Sequence, residues 1–299
     1  MEGELRAFVP AHLSGFFEVC PSPRPERMGS RNGGPCLEVG VLTKVRLEEG
    51  KGVEIFIDGK KTEAKTSSYV ARSFLGDTEE EFHLRVEHHL QVPMGAGYGA
   101  SGAGALGMAL ALSKWLGIRA WKREAIRMAH VAEIRNLTGL GDVGAQAKGG
   151  LVIGVRPGAP PYGSWRKIAV PKGMWVVSCT LGGISTKEIL SNPEMKDRAR
   201  SLGKKAVERV LAHPSVRTFL EASLEFAEGL GLMDGELREM VELFKKFGAI
   251  GASQTMLGRG VFGFFPEESL EKGVEELSAS LGKGMLIKSR VSARGAHLL

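Results

Sequence analysis

Long apolar runs, pairable cysteines and amide side chains are all scarce in this chain of 299 residues. The most apolar stretch, Ala103 to Leu112, is too short and too rich in glycine to cross a bilayer, which takes about 20 consecutive apolar residues. The start Met-Glu-Gly-Glu-Leu-Arg lacks the basic-then-apolar order of a secretory leader, so a soluble, cytoplasmic protein with no membrane partner is expected. Cys20, Cys36 and Cys179 are odd in number, far apart and without histidines at metal-site intervals. That pattern supports neither a disulfide framework nor a structural zinc site, and three free thiols, buried or half-buried, are expected. Asparagine is confined to Asn32, Asn136 and Asn192 and glutamine to Gln91, Gln146 and Gln254, a scarcity that accompanies thermophilic proteins.

What is present is globular composition, with 43% hydrophobic and 25% charged residues. The net charge of +6 suits either nucleic acid or a small anionic substrate such as a nucleotide. The basic pairs Lys60-Lys61, Lys204-Lys205 and Lys245-Lys246 are scattered beside acidic residues, with no basic stripe interleaved with aromatics. A mixed, solvated surface is the expectation, with no nucleic-acid partner.

Periodicity predicts strands at Leu5 to Val9, Cys36 to Leu47, Val53 to Ile57 and Phe82 to Val92, with a short helix capped by Thr66 running to about Leu75. Helices follow at Ser101 to Leu116 and Lys122 to Leu137, then the turn Thr138 to Asp142 and a strand at Gly150 to Val155. The proline- and glycine-rich stretch Pro157 to Gly163 is the best candidate for a boundary, dividing the chain into 1–160 and 161–299. Beyond it the pattern gives a strand at Met174 to Thr180 and helices at Lys187 to Ser191, Met195 to Ala212, Val216 to Leu230 and Asp234 to Phe247. Strands near Ala249 to Ser253 and Val261 to Phe265, a helix at Leu270 to Leu281 and a strand at Met285 to Val291 close the chain. Strands and helices alternate irregularly, as in an α+β fold.

The chemistry concentrates in the run Pro93-Met94-Gly95-Ala96-Gly97-Tyr98-Gly99-Ala100-Ser101-Gly102-Ala103, between a strand and a helix. It satisfies G-x-G-x-x-G, but the acidic strand end that a dinucleotide fold needs about twenty residues on is missing, and no Lys-Ser or Lys-Thr closes the loop. What remains is a glycine loop whose N–H groups can converge on phosphate oxygens at a helix N-terminus. Packing alone accounts poorly for so much glycine, which costs chain entropy. His130 and Glu133 lie one turn apart on the second helix and Asp142 sits in a glycine-flanked turn, so two carboxylates can face one site. Phosphoryl transfer uses such a pair, although a solvated Glu and a turn-capping Asp share the spacing. The glycine-rich stretch Gly248 to Gly260 precedes an apolar strand.

Together these segments resemble the GHMP kinase superfamily, whose nucleotide loop reads P-x-x-x-G-L-G-S-S followed by alanines. Pro93, Gly97, Gly99, Ser101 and Ala103 match it, and Tyr98, Ala100 and Gly102 depart. Phe8 to Phe17 echoes the early motif of the superfamily and Gly248 to Phe262 its late one. Gly15-Phe16-Phe17, Gly29-Ser30-Arg31, Ala129 to Glu133, Thr138 to Val143 and Thr255 to Gly260 are most similar to the archaeal pantoate kinase family. The resemblance implies a two-domain α+β GHMP kinase fold, with a ribosomal-protein-like N-terminal domain, a ferredoxin-like C-terminal domain and the site between them. It implies ATP and Mg²⁺, with Glu133 as metal ligand, Ser101 as a metal and phosphate contact, and Asp142 orienting the acceptor hydroxyl. Pantoate would be the acceptor, phosphorylated on its primary hydroxyl for coenzyme A synthesis, with Arg156, His130, Ser30 and Arg31 as candidates for its carboxylate. A homodimer is compatible with this reading. The rivals are a related kinase acting on shikimate, homoserine or an isoprenoid alcohol such as mevalonate, and an RNA-binding protein using the ribosomal-protein-like domain.

Overall fold

A computed structural model of the chain describes residues 3–76, 82–183, 192–256, 258–282 and 285–299. One strand organises the first half. β3 (Gly29–Glu49) is 21 residues long, and in its distal part Val41, Thr43, Val45 and Leu47 alternate inward, the period of two that a sheet with one buried face requires. There it is flanked by β1 (Gly3–His12) and β6 (Phe82–Leu90), while its proximal part carries β2 (Phe16–Cys20) and β7 (Leu151–Arg156). β4 (Gly52–Ile57) joins β6 in parallel, the crossover being made by β5 (Lys60–Lys61) and α1 (Lys65–Leu75).

Helix α2 (Ala100–Trp115) is buried on nearly all sides between this sheet and α3 (Trp121–Asn136), as its unbroken apolar composition predicts. It reaches the sheet closely because it carries glycine at the contact: a Cβ on Gly107 would stand 2.6 Å from Thr43 Oγ1. The short α4 (Asp142–Lys148) then leads into β7.

The stretch Pro157 to Gly163 is a hairpin connection, because β8 (Ser164–Ile168) pairs with β7 in the same sheet. The chain passes to the second sheet between 168 and 174, so the division expected at 160/161 gives way to one after β8. Proline and glycine serve a tight hairpin and a linker equally well, which is why composition misplaced it. The second sheet has the order β10-β11-β9-β12, formed by β9 (Met174–Gly183), β10 (Gly251–Gln254), β11 (Gly258–Pro266) and β12 (Met285–Arg290). With α5 (Pro193–Ala212), α6 (Val216–Leu230), α7 (Gly235–Lys246) and α8 (Glu267–Leu281), this is the expected ferredoxin-like α+β arrangement. The helix expected at Lys187 to Ser191 lies outside the described residues.

Two features lock the halves together. Phe16 and Phe17 of β2 meet Phe219 and Phe226 of α6 with ring centroids 5.8 and 5.4 Å apart, each buried ring contributing about 2 kcal/mol. The tail then returns to the first sheet, through a Leu37–Val291 bridge and β13 (His297–Leu298) on β1. Among the described residues no helix is long and apolar enough to cross a membrane. Cys20, Cys36 and Cys179 are free thiols.

Candidate active site

A cleft of about 630 Å³ opens between the glycine loop, the N-terminus of α1, the turn after α3 and Met256 of the late glycine-rich stretch. In the loop Gly95, Gly97 and Gly99 take φ of +73°, +84° and +63°, alternating with Ala96 and Tyr98 outside the left-handed region. That alternation curls successive N–H groups to one side, an anion-binding concavity. From Met94 to Gly102 these N–H groups donate to no backbone carbonyl among the described residues, and α2 begins there. Phosphate oxygens are the partners such a loop is shaped for.

Neighbours fix the loop from three sides. His12 N donates to Tyr98 O at 3.0 Å, and Gln146 Nε2 to Gly99 O at 2.9 Å. A Cβ on Gly97 would lie 2.6 Å from Thr255 Cγ2, so the late motif packs directly on the loop. The buried Tyr98, where the superfamily pattern has leucine, reaches Ser178 Oγ at 2.8 Å and Thr180 Oγ1 at 3.1 Å on β9, and so ties the loop to the second sheet.

Both predicted carboxylates line the cleft. Glu133 is 3% exposed; its Oε1 accepts from Ser101 Oγ at 2.8 Å and Thr138 Oγ1 at 2.6 Å, with Thr66 Oγ1 3.2 Å from both hydroxyls. Burial lifts its carboxyl from an ordinary 4.5 to about 7, against the two hydroxyl hydrogen bonds and with a smaller push from Asp142. Thr66 was expected to cap α1. The cap position is Ala64 instead, two residues earlier, so Thr66 lies in the first turn of the helix and its hydroxyl turns into this cluster.

Asp142, the first residue of α4, is held by one oxygen. Its Oδ1 receives His12 Nδ1 at 2.8 Å and Ser14 Oγ at 3.2 Å, and its Oδ2 has no hydrogen-bond partner among the described residues. A carboxylate only accepts, so the fully buried His12 presents Nδ1–H to it. Ser14 in turn accepts from Asn32 Nδ2 at 3.2 Å. His12, Ser14, Asn32, Thr66 and Thr138 were not assigned to the site from sequence, although a histidine at an otherwise apolar strand end was a signal that could have found the first.

The candidates for a substrate carboxylate separate. Ser30 lines the cleft. Arg31, its neighbour on β3, points to the other face and pairs with Glu18, as the alternation of a strand dictates. His130 does not line the cleft: its Nε2 lies 2.8 Å from Met28 O, backing the segment that leads to Ser30, and burial lowers its pKa. Arg156 stands exposed at the end of β7 with Nε on Ser164 Oγ at 3.2 Å. The Gly33–Ile153 register brings that strand end alongside Ser30 and Arg31. Of the loop residues, Gly95, Gly97, Tyr98, Gly99, Ala100 and Ser101 line the cleft, while Pro93, Ala96, Gly102 and Ala103 support it from behind.

No group of three or more His, Cys, Asp or Glu side chains suited to a metal occurs among the described residues. Glu133 with Ser101 nevertheless suits Mg²⁺, which typically takes one or two carboxylates and completes its shell with water and phosphate oxygens. No cationic side chain pairs with Glu133 among the described residues, so this buried carboxylate lacks a counter-charge.

Comparison with known proteins gives the family. The family described as GHMP kinases N terminal domain matches residues 64–150. A pantoate kinase of Thermococcus kodakarensis is 34% identical over 285 residues, covering 92% of each chain. A pantoate kinase of Methanocaldococcus jannaschii is 31% identical, covering 90% of this chain and 96% of its own. A solved structure described as a phosphotransferase related to the CoA biosynthesis pathway superposes with a TM-score of 0.91 at 28% identity, covering 99% of both chains. The chain belongs to the pantoate kinase family of the GHMP kinases.

Proposed function

We propose that the protein transfers the γ-phosphoryl group of ATP to the primary hydroxyl of pantoate, giving phosphopantoate and ADP. The observation that carries this reading is Asp142: held on Oδ1 by His12 and Ser14, with Oδ2 unpaired among the described residues, in the cleft that the glycine loop lines. Asp142 Oδ2 accepts the hydrogen bond of the acceptor hydroxyl, aims its oxygen at the phosphorus and takes the proton as the new P–O bond forms. The loop N–H groups and the N-terminus of α2 offset the charge of the phosphates, and Ser101 and Glu133 would hold Mg²⁺, which neutralises phosphate charge when bound. Most of the catalysis is therefore positioning and electrostatics.

The cleft has two characters. Val41, Ile57 and Leu90, on neighbouring strands, with Met94 form an apolar subsite suited to a nucleobase. Ser14, Ser30 and Asn32 beside Asp142 form a polar one suited to a small hydroxy acid. β3 lines both, which sets them apart along the length of that strand. The substrate carboxylate falls to Ser30 and, at the neighbouring strand end, Arg156. An ADP-release assay over pantoate, shikimate, homoserine and mevalonate tests the assignment: turnover is expected with pantoate, and preferred use of another acceptor would overturn it.

A further inference from the structure

Asn32 is 3% exposed, lines the cleft, and holds an amide oxygen with no hydrogen-bond partner among the described residues. Its orientation follows from the chain of bonds beside it. Ser14 Oγ has one proton and lies 3.2 Å from Asp142 Oδ1, which only accepts; the proton therefore goes to the carboxylate. Ser14 can then only accept from Asn32, at 3.2 Å, which requires Nδ2 on that side and leaves Oδ1 as the unpaired group. The side chain is also held in place from behind the catalytic turn, since a Cβ on Gly141, the residue before Asp142, would stand 3.1 Å from Asn32 Cγ. A buried, oriented acceptor without a donor costs stability unless a ligand supplies one.

Resting on the proposed pantoate kinase activity, we infer that Asn32 Oδ1 accepts a hydrogen bond from the secondary, α-hydroxyl of the acceptor and so determines which hydroxy acids are phosphorylated. Pantoate carries two donors, its hydroxyls, and the primary one is engaged at Asp142. The secondary one is separated from it by a three-carbon spacer, and Asn32 is separated from Asp142 by the single hydroxyl of Ser14. An amide oxygen repels a carboxylate, so the same contact turns the acid group away from Asn32, toward Ser30. Reading one hydroxyl at Asp142 and the other at Asn32 fixes the order of groups along the substrate. A bare alcohol lacks the second donor.

The test is a cycle of enzyme and substrate changes. kcat/KM is measured for wild type and Asn32→Ala with pantoate and with pantoate lacking its α-hydroxyl, after thermal melting has shown that the variant is folded; Asn32→Ser replaces it if it is not. Wild type is expected to lose about 10- to 100-fold on removal of the α-hydroxyl. In the variant the loss should shrink to within about 2-fold, the scatter of independent effects. An undiminished loss in the folded variant would assign Asn32 a purely structural role, and a wild type indifferent to the α-hydroxyl would overturn the inference while leaving the kinase assignment intact. A wild type inactive on pantoate would overturn both.

Discussion

Replacing Glu133 by glutamine separates the cost of the candidate metal site from its use. The carboxyl is raised from an ordinary 4.5 to about 7, chiefly by burial. Between those values the folded chain retains a proton that the unfolded chain has released, so stability falls as pH rises through this window and is level above it. The shift corresponds to about 3 kcal/mol lost across the window. Glutamine keeps an acceptor for Ser101 and Thr138 and carries no charge, so the variant escapes the loss. In metal-free buffer the two proteins should melt together near pH 4, and the variant should melt roughly 6 °C higher at pH 8, at about 2 °C per kcal/mol for a chain of this size. Turnover should be lost at both. Scanning calorimetry from pH 4 to 8 measures the difference; a gap independent of pH, or a less stable variant at pH 8, would refute burial of an unpaired carboxylate as the cause.

Asp142→Asn should abolish most turnover while calorimetric ATP binding and the melting temperature stay close to wild type; an active variant would remove Asp142 from the chemistry. Tyr98→Phe leaves the Ser178 and Thr180 hydroxyls without their partner and loosens the tie from loop to second sheet, so stability should drop by about 1–3 kcal/mol and the KM for ATP should rise more than that for pantoate. Gly97→Ala puts a side chain at φ +84° and against Thr255, costing about 1–2 kcal/mol in backbone conformation alone; weakened nucleotide binding with an unchanged circular dichroism spectrum is expected. Arg156→Ala should raise the KM for pantoate selectively, whereas Arg31→Ala, which breaks a pair with Glu18 away from the cleft, should leave it unchanged; the reverse result would exchange their roles.

The elements were legible because their signals are local. Apolar period gave β6 and α6 almost residue for residue and the middle of β1, and the density of glycine at 95, 97 and 99 announced a loop whose backbone alternates in sign. Glu133 and Asp142 were legible as types and by spacing, and the motif order carried the family. Direction was not legible. His130 and Glu133 share a helix face by count, yet one meets Met28 and the other the cleft, because the segments packed on α3 differ at those two levels.

By itself, then, the sequence determined an α+β chain, the glycine loop beside its helix, the two acidic residues and the kinase family. Each depends on neighbours within a few residues or on an ordered set of motifs. Tertiary structure alone decided that Pro157 to Gly163 is a hairpin, that Tyr98 is anchored on β9, and that Asp142 is paired with His12 across 130 residues of chain. It also left the Asn32 amide oxygen without a partner among the described residues beside that pair. The physical reason is that a hydrogen bond or a buried charge is specified by whatever folds against it, and no spacing along the chain encodes which side chain that is.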